Sequence, residues 1–182
     1  MTDQLSATPA GLEFVEKFLN TIEVSEERDD LAPASAIERW AAERGIEVAL
    51  TEEDGARIRA FREALRGVLE TNAGHGAPDE AWARLTPYVY DMCFTFRTSP
   101  VGFTPQGTGA DRLVGTVVAA VYESVERGTF SRLKVCPEST CRWAFYDQSK
   151  NKSGRWCSMA VCGNRNKARR RRSMANAPQP TN

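Results

Sequence analysis

The chain has 182 residues, of which 41% are hydrophobic, and its 24 basic and 24 acidic side chains give a formal net charge of zero. This composition is that of a globular protein, and the length suits one domain plus a small appendage, while no apolar run approaches the roughly 18 residues of a membrane-spanning helix. Because the first ten residues are polar and lack the basic and apolar parts of a secretion signal, we expect a cytoplasmic protein that does not enter a membrane.

The first 130 residues predict a mainly helical domain. Apolar side chains recur every three or four positions, as on one face of an amphipathic helix, in the segments 9–23, 35–45, 51–72 and 111–127. Two of these segments begin with a hydroxyl residue followed three positions later by an acidic one, Ser35 with Glu38 and Thr51 with Asp54. This pattern is typical of a capping box, so we expect both helices to start there.

The local pattern changes between the third and fourth of these helices. A short helical piece is expected around 79–85, and residues 88–96 are then aromatic and β-branched. Residues 100–109 are rich in turn-forming side chains, so this part of the chain predicts a β-hairpin. Within it, Cys93 is predicted to be a small buried apolar side chain, since free cysteine is usually buried.

Four of the five cysteines form two pairs near the carboxy-terminal end. Cys136 and Cys141 have four residues between them, as do Cys157 and Cys162, and fifteen residues separate the pairs. Four thiolates can close a tetrahedral site around Zn²⁺, and a site without a vacant coordination position is structural rather than catalytic. We therefore predict one structural zinc ion, bound in a reducing compartment.

The paired cysteines lie in a strongly basic segment. From Ser131 onward there are twelve Lys and Arg against two acidic residues, a net charge of +10, whereas residues 1–130 carry a net charge of −10. Unbalanced cations gain from binding a polyanion through counterion release, so we predict contact with nucleic acid. The candidate contact residues are Lys150, Lys152, Arg155, Arg165, Lys167, Arg169, Arg170, Arg171 and Arg172.

Helical geometry relates the second cysteine pair to this basic run. Cys157 and Cys162 are five positions apart, about 500° of helical rotation, so they would not share one face of a regular helix. We expect Cys157 just before a helix and Cys162 in its first turns, with the arginines on the exposed remainder. DNA and RNA offer the same phosphates, so this pattern leaves open which of them is bound.

Two other functions remain open at this point. The basic helix could dock on an acidic protein surface, including that of a second copy in a homodimer. The first domain could instead hold an enzyme-like pocket or bind an unidentified small-molecule effector. An enzyme is poorly supported, because the sequence has no nucleophile elbow, phosphate-binding glycine loop or dinucleotide fingerprint.

The carboxy-terminal segment resembles the CGNR zinc-finger family. The resemblance rests on Cys162-Gly163-Asn164-Arg165, on the preceding Trp156-Cys157-Ser158-Met159 and on the upstream cysteine pair, and it covers roughly residues 132–172. In that family the finger follows a mostly helical domain called ABATE, whose opening resembles Phe18-Leu19-Asn20-Thr21. Trp40 also matches this domain.

The resemblance implies a stress-induced bacterial transcription regulator with zinc on the four cysteines and DNA as its partner. The family's basic positions correspond to Arg155, Arg165, Lys167 and Arg169. One departure is that Lys152-Ser153-Gly154-Arg155 stands where members often have a pair of arginines. Arg155 is therefore the basic position of this loop that the resemblance carries over, without the exact phosphate contacts of the arginine pair.

The fold class that follows is mainly α with a small β-hairpin, made of a helical amino-terminal domain and a small carboxy-terminal zinc-finger module. The predicted divisions are an acidic ABATE-like domain at 1–130, the finger at 131–172 and a disordered tail at 173–182.

Overall fold

The structure, a computed structural model, describes residues 8–175. Its α-helices are α1 (Ala10–Leu19), α2 (Ala34–Ala42), α3 (Glu52–Asn72), α4 (Pro78–Ala83), α5 (Thr86–Val89), α6 (Gly109–Glu126) and α7 (Asn164–Ala175). Its strands form three antiparallel pairs, β1 (Ile22–Glu23) with β2 (Arg28–Asp29), β3 (Cys93–Thr98) with β4 (Val101–Gln106), and β5 (Leu133–Val135) with β6 (Ala144–Tyr146). The predicted class, mainly α with a small β-hairpin, is confirmed, and two further short strand pairs accompany the hairpin in the described residues.

The core of the molecule lies between α1, α3 and α6. Each of these helices buries one apolar face, as its three-and-four spacing predicted. The buried side chains include Leu12, Val15, Phe18 and Leu19 of α1, Ile58, Phe61, Leu65, Val68 and Leu69 of α3, and Leu113, Val114, Val117 and Val121 of α6. Trp40 of α2 covers this core, with its ring centroid 5.8 Å from that of Phe18.

The two predicted capping boxes have different outcomes. At the start of α3 the box is confirmed, because the Thr51 hydroxyl accepts a hydrogen bond from the Asp54 amide at 3.1 Å and the Asp54 carboxylate accepts one from the Thr51 amide at 2.9 Å. At the start of α2 it is wrong. That helix begins at Ala34 without a side-chain cap, and the Glu38 carboxylate accepts a hydrogen bond from the Leu50 amide at 2.7 Å instead.

The β3–β4 hairpin packs on α6 and differs from its prediction in two details. The strand begins at Cys93 rather than at residue 88, because Tyr88 belongs to the short helix α5. The prediction that Cys93 is buried is wrong, since its side chain is exposed opposite Gln106 at the open end of the hairpin.

The β5–β6 pair joins the finger to the helices. Leu133, Val135 and Ala144 belong to the same buried apolar cluster as α1 and α3. Asn20, just after α1, binds Ala144 of β6 as a neighbouring strand would, donating to its carbonyl at 2.9 Å and accepting from its amide at 2.8 Å. We call residues 8–130 the helical body and residues 131–175 the finger, and the two share one core at this junction.

Two predicted helix ends also change. Ile22 was predicted on the first helix, but α1 ends at Leu19 and Ile22 pairs with Asp29 in a strand. At the other end α7 runs through Ala175, so residues 173–175 of the predicted disordered tail are helical. The rest of that tail, 176–182, lies outside the described residues. Within 8–175 none of the helices is both long and apolar enough to cross a membrane.

Candidate metal centre and basic helix

The four cysteines are positioned by the two ends of the finger. Cys136 directly follows β5, and its amide donates to the Trp143 carbonyl at 2.9 Å, which closes a turn. Within this turn the Cys141 amide donates to the Glu138 carbonyl at 2.8 Å, and Arg142 adopts a left-handed φ of 50°. The turn therefore aims the first cysteine pair at the segment that carries the second.

The second pair lies at the start of the last helix. Cys157 precedes a wide π-helical turn, Met159–Gly163, and Cys162 lies within that turn, as the predicted rotation required. The Ser158 hydroxyl caps the turn by accepting from the Val161 amide at 3.3 Å. A Cβ on Gly163 would lie 2.5 Å from the Met159 Sδ, so the exposed Met159 side chain would have to move.

The four sulfur atoms converge on one point. All four Sγ atoms lie within 4.8 Å of one another, with 3.5 Å between Cys141 and Cys157 and 3.7 Å between Cys157 and Cys162. A tetrahedral zinc ion with Zn–S bonds of about 2.3 Å requires sulfur atoms about 3.8 Å apart. The cluster therefore fits one structural zinc ion, and all four ligand positions are supplied by this chain.

Without a cation, the surroundings of these thiols favour their neutral form. Burial raises the pKa of Cys157 well above its usual range and that of Cys162 to about 12. Because thiolates are the metal ligands, the charge of a cation is what stabilises them at this site. The zinc ion thus supplies the attraction that holds the first turn and the last helix together.

The nine predicted nucleic-acid contacts all lie on the surface of the finger. Six of them project from α7, which begins directly after the π-helical turn Met159–Gly163. The other three lie in the loop before Cys157, and all nine side chains are exposed. The three loop residues are Lys150, Lys152 and Arg155, and the six helix residues are Arg165, Lys167, Arg169, Arg170, Arg171 and Arg172. Exposure makes all of them accessible to a partner.

Arg169 has a second role that the sequence pattern did not reveal. Its guanidinium donates to both carboxylate oxygens of Glu138, at 2.7 and 2.8 Å. The Glu138 side chain is only 1% exposed, and the hydrogen bond from Arg169 lowers its pKa. This pair ties α7 to the turn that holds Cys136 and Cys141. Arg169, expected to be free for a partner, is thus also part of the finger's own structure.

A second buried ion pair orders the loop that carries Lys150, Lys152 and Arg155. The Lys134 ammonium donates to the Asp147 carboxylate at 2.7 Å and to the Lys152 carbonyl at 2.6 Å. Asp147 also accepts from the Gly154 amide at 2.8 Å, and a Cβ on Gly154 would lie 2.6 Å from its Oδ1. Burial alone would raise the pKa of Asp147, but Lys134 and the Ser149 hydrogen bonds lower it to about 2. The glycine in this loop is therefore a packing requirement.

The junction with the helical body is also polar in part. Arg66 of α3 is buried, and it donates to the Leu19 carbonyl and to the Arg142 carbonyl, the latter at 2.7 Å. Arg142 returns to α3 through an ion pair with Glu70 at 3.0 Å. The turn between Cys136 and Trp143, which we call the zinc-binding turn, is thus attached to α3 of the helical body.

Comparison with known families covers nearly the whole described chain. Residues 132–174 match the CGNR zinc finger, and residues 13–122, more than half of the chain, match the ABATE family, described as "Putative stress-induced transcription regulator". A search of curated proteins found no match. The chain therefore belongs to the ABATE family and carries a CGNR zinc finger after its helical domain.

Proposed function

We propose that this protein is a zinc-dependent transcription regulator that binds DNA through the phosphate contacts of α7. The observation that carries the proposal is an exposed helix with six cations in the eight residues 165–172, starting directly at the four-cysteine cluster. A helix of this charge would be marginal in isolation, because like charges three and four residues apart repel each other. Its anchoring to a metal site supports the view that zinc is needed for the helix to form and to bind.

The distribution of charge supports the same proposal. Residues 131–182 carry a net charge of +10 and residues 1–130 a net charge of −10. Phosphate is attracted to the first region and repelled by the second, which restricts DNA to the finger. The body is then free to dimerise or to bind an effector, and the proposal assigns it no catalytic role.

A salt titration tests DNA binding. Anisotropy of a labelled duplex of random sequence would be measured at about 50 mM and about 200 mM salt; for five phosphate contacts the affinity is expected to fall about 500-fold. Absence of binding at the lower salt concentration, or binding that does not depend on salt, would contradict the proposal.

The same assay separates the other partners. A single-stranded RNA of equal length that binds more tightly than the duplex would make the protein an RNA binder. Binding to neither nucleic acid would favour docking of α7 on an acidic protein surface. If the duplex is preferred, selection from a random duplex pool identifies the target sequence.

A further inference from the structure

The basic side chains of α7 divide into two sets with different surroundings. Arg165, Arg169 and Arg172 follow each other at intervals of four and three residues, so they lie on one side of the helix. Together with Glu138 and Thr140 of the zinc-binding turn they line a cleft of about 330 Å³. We call this side the inner face of α7. The outer face carries Lys167, Arg170 and Arg171, which do not line the cleft.

One of the three arginines is already engaged. Both oxygens of the buried Glu138 carboxylate accept hydrogen bonds from Arg169, as described above. Within residues 8–175, Arg165 and Arg172 form no ion pair or side-chain hydrogen bond, although Arg165 lies close enough to contribute to the low pKa of Glu138. The cleft therefore holds three guanidinium groups and one carboxylate, a formal charge of +2.

We infer that this cleft binds one phosphodiester group of the nucleic-acid backbone, with Arg165 and Arg172 as its ligands and Arg169 as the residue that positions the helix. The inference rests on the proposed function and names its site. A guanidinium presents paired donors that match a phosphate group, and the small Ala168 side chain between the two arginines leaves room for it.

The shape of the site favours the inner face over the outer one. The cations of the inner face line a concave surface with protein on either side, which concentrates their field. Those of the outer face project into water, where salt screens them over about 10 Å. The anchoring of Arg169 fixes the helix against the zinc-binding turn, so the backbone that carries Arg165 and Arg172 is held in place before a phosphate arrives.

Two double variants with the same change of charge test the inference. Arg165→Gln with Arg172→Gln removes the inner pair, and Lys167→Gln with Arg171→Gln removes two outer cations from the same helix. Duplex affinity would be measured for both at one salt concentration. The inner variant is expected to bind about tenfold more weakly than the outer one, since hydrogen bonds between charged groups are lost in addition to charge. Equal losses, or a larger loss in the outer variant, would overturn the inference while leaving DNA binding itself in place.

Two further measurements keep the result interpretable. The zinc content and melting temperature of both double variants would be compared with those of the unsubstituted protein. If the inner glutamine variant loses zinc, the double variant Arg165→Lys with Arg172→Lys is used in its place to test whether the cleft binds phosphate. The lysine variant keeps the charge but not the paired donors, so weaker duplex binding supports the cleft and unchanged binding overturns it.

Free phosphate provides the last comparison. Inorganic phosphate that replaces chloride at constant ionic strength is expected to displace the duplex from the unsubstituted protein and not from the inner variant. If phosphate binds without affecting the duplex, the cleft is a site for a free anion and the inference is overturned. A protein that binds no duplex even at low salt contradicts the proposed function as well, which distinguishes the two failures.

Discussion

The helical body and the finger bury different kinds of side chain. The interior of the body is built mainly from apolar residues of α1, α3 and α6, whereas the described finger buries only a few apolar side chains beside the charged Lys134, Glu138 and Asp147. Each of these three has an ion-pair partner within 2.7 Å. A segment of this size cannot bury enough apolar area to fold by itself, so metal ligation and buried ion pairs do in the finger what the hydrophobic core does in the body.

Although the finger buries different side chains from the body, it is not structurally independent of the body. Leu133, Val135 and Ala144 lie in the body's own core, while the two cysteine pairs lie beyond it. The finger therefore has one edge that depends on the body and one that depends on zinc. This division gives four predictions, which differ in whether they disturb the metal, the core, an ion pair of the body or the junction.

The largest effect is expected from loss of a zinc ligand. Cys157→Ser should abolish stoichiometric zinc binding and unfold residues 156–175, because apparent zinc-binding energies in finger peptides are on the order of 10 kcal/mol. Hydrogen exchange would show the lost protection there, while α1, α3 and α6 stay protected. Cys93→Ser is the matched control, since Cys93 is exposed and outside the cluster. A Cys157→Ser protein that retains one zinc ion and a protected α7 would contradict the assignment.

Truncation of the core should affect the body instead. Phe18 is fully buried against Trp40 and Phe61, so Phe18→Ala is expected to lower the free energy of unfolding by about 4 kcal/mol. Urea denaturation measures this, and zinc content should be unchanged. Tyr90→Ala, at a side chain that is 81% exposed, should change stability by less than about 0.5 kcal/mol. Equal effects of the two substitutions would disprove the packing described for α1.

An ion pair between the buried Arg62 and the partly exposed Asp29 should make the stability of the body depend on pH. Burial alone would raise the pKa of Asp29, but two hydrogen bonds from Arg62, both at 2.7 Å, keep it below the usual value. Asp29→Asn should therefore cost about 3 kcal/mol at neutral pH. This cost should shrink once the pH falls below about 4, where the unfolded carboxyl becomes protonated, and should vanish below the folded pKa.

The measurement is the difference in unfolding free energy between Asp29→Asn and the unsubstituted protein at each pH, so that zinc release affects both alike. Asp30→Asn is the control, because Asp30 pairs with Arg28 on the surface, where both side chains are more than half exposed and an ion pair contributes little. A cost for Asp29→Asn that stays constant from pH 7 to about pH 3 would exclude the ion pair as its cause.

The smallest effect is expected at the junction. Asn20→Ala removes both hydrogen bonds to Ala144 and should lower the free energy of unfolding by about 1 to 2 kcal/mol. Hydrogen exchange at the Ala144 amide should accelerate while zinc stays bound. Asn151→Ala, in the exposed loop of the finger, is the matched control. If Asn20→Ala leaves hydrogen exchange at the Ala144 amide unchanged, the junction does not depend on the two hydrogen bonds between Asn20 and Ala144.

Local patterns predicted the parts of this structure that local chemistry determines. The capping box at Thr51 and the rotation between Cys157 and Cys162 involve residues at most five positions apart, and both are as predicted. The box at Ser35 was wrong because Glu38 has a better partner in Leu50, outside its own helix. A tertiary hydrogen bond thus overrides a local preference of similar strength.

Other features could not be predicted because their partners are distant in sequence. Asn20 and Ala144 are 124 positions apart, and Glu138 and Arg169 are 31 apart, so neither pair produces a periodic pattern. Arg62 and Arg66 are both 1% exposed, although arginines on an amphipathic helix usually lie on its solvated face. The one available signal was Glu138, an isolated acidic residue between two zinc ligands in a strongly basic segment.

The central claim is that zinc organises a helix that binds DNA. The most direct test is to measure the duplex affinity of one sample three times: with its zinc bound, after the zinc has been removed, and after zinc has been restored. At fixed low salt, removal of zinc by a chelator should abolish the salt-dependent binding, and one equivalent of zinc should restore it. Duplex affinity that stays the same after the zinc has been removed would show that the metal centre does not organise the binding surface, and would contradict this account.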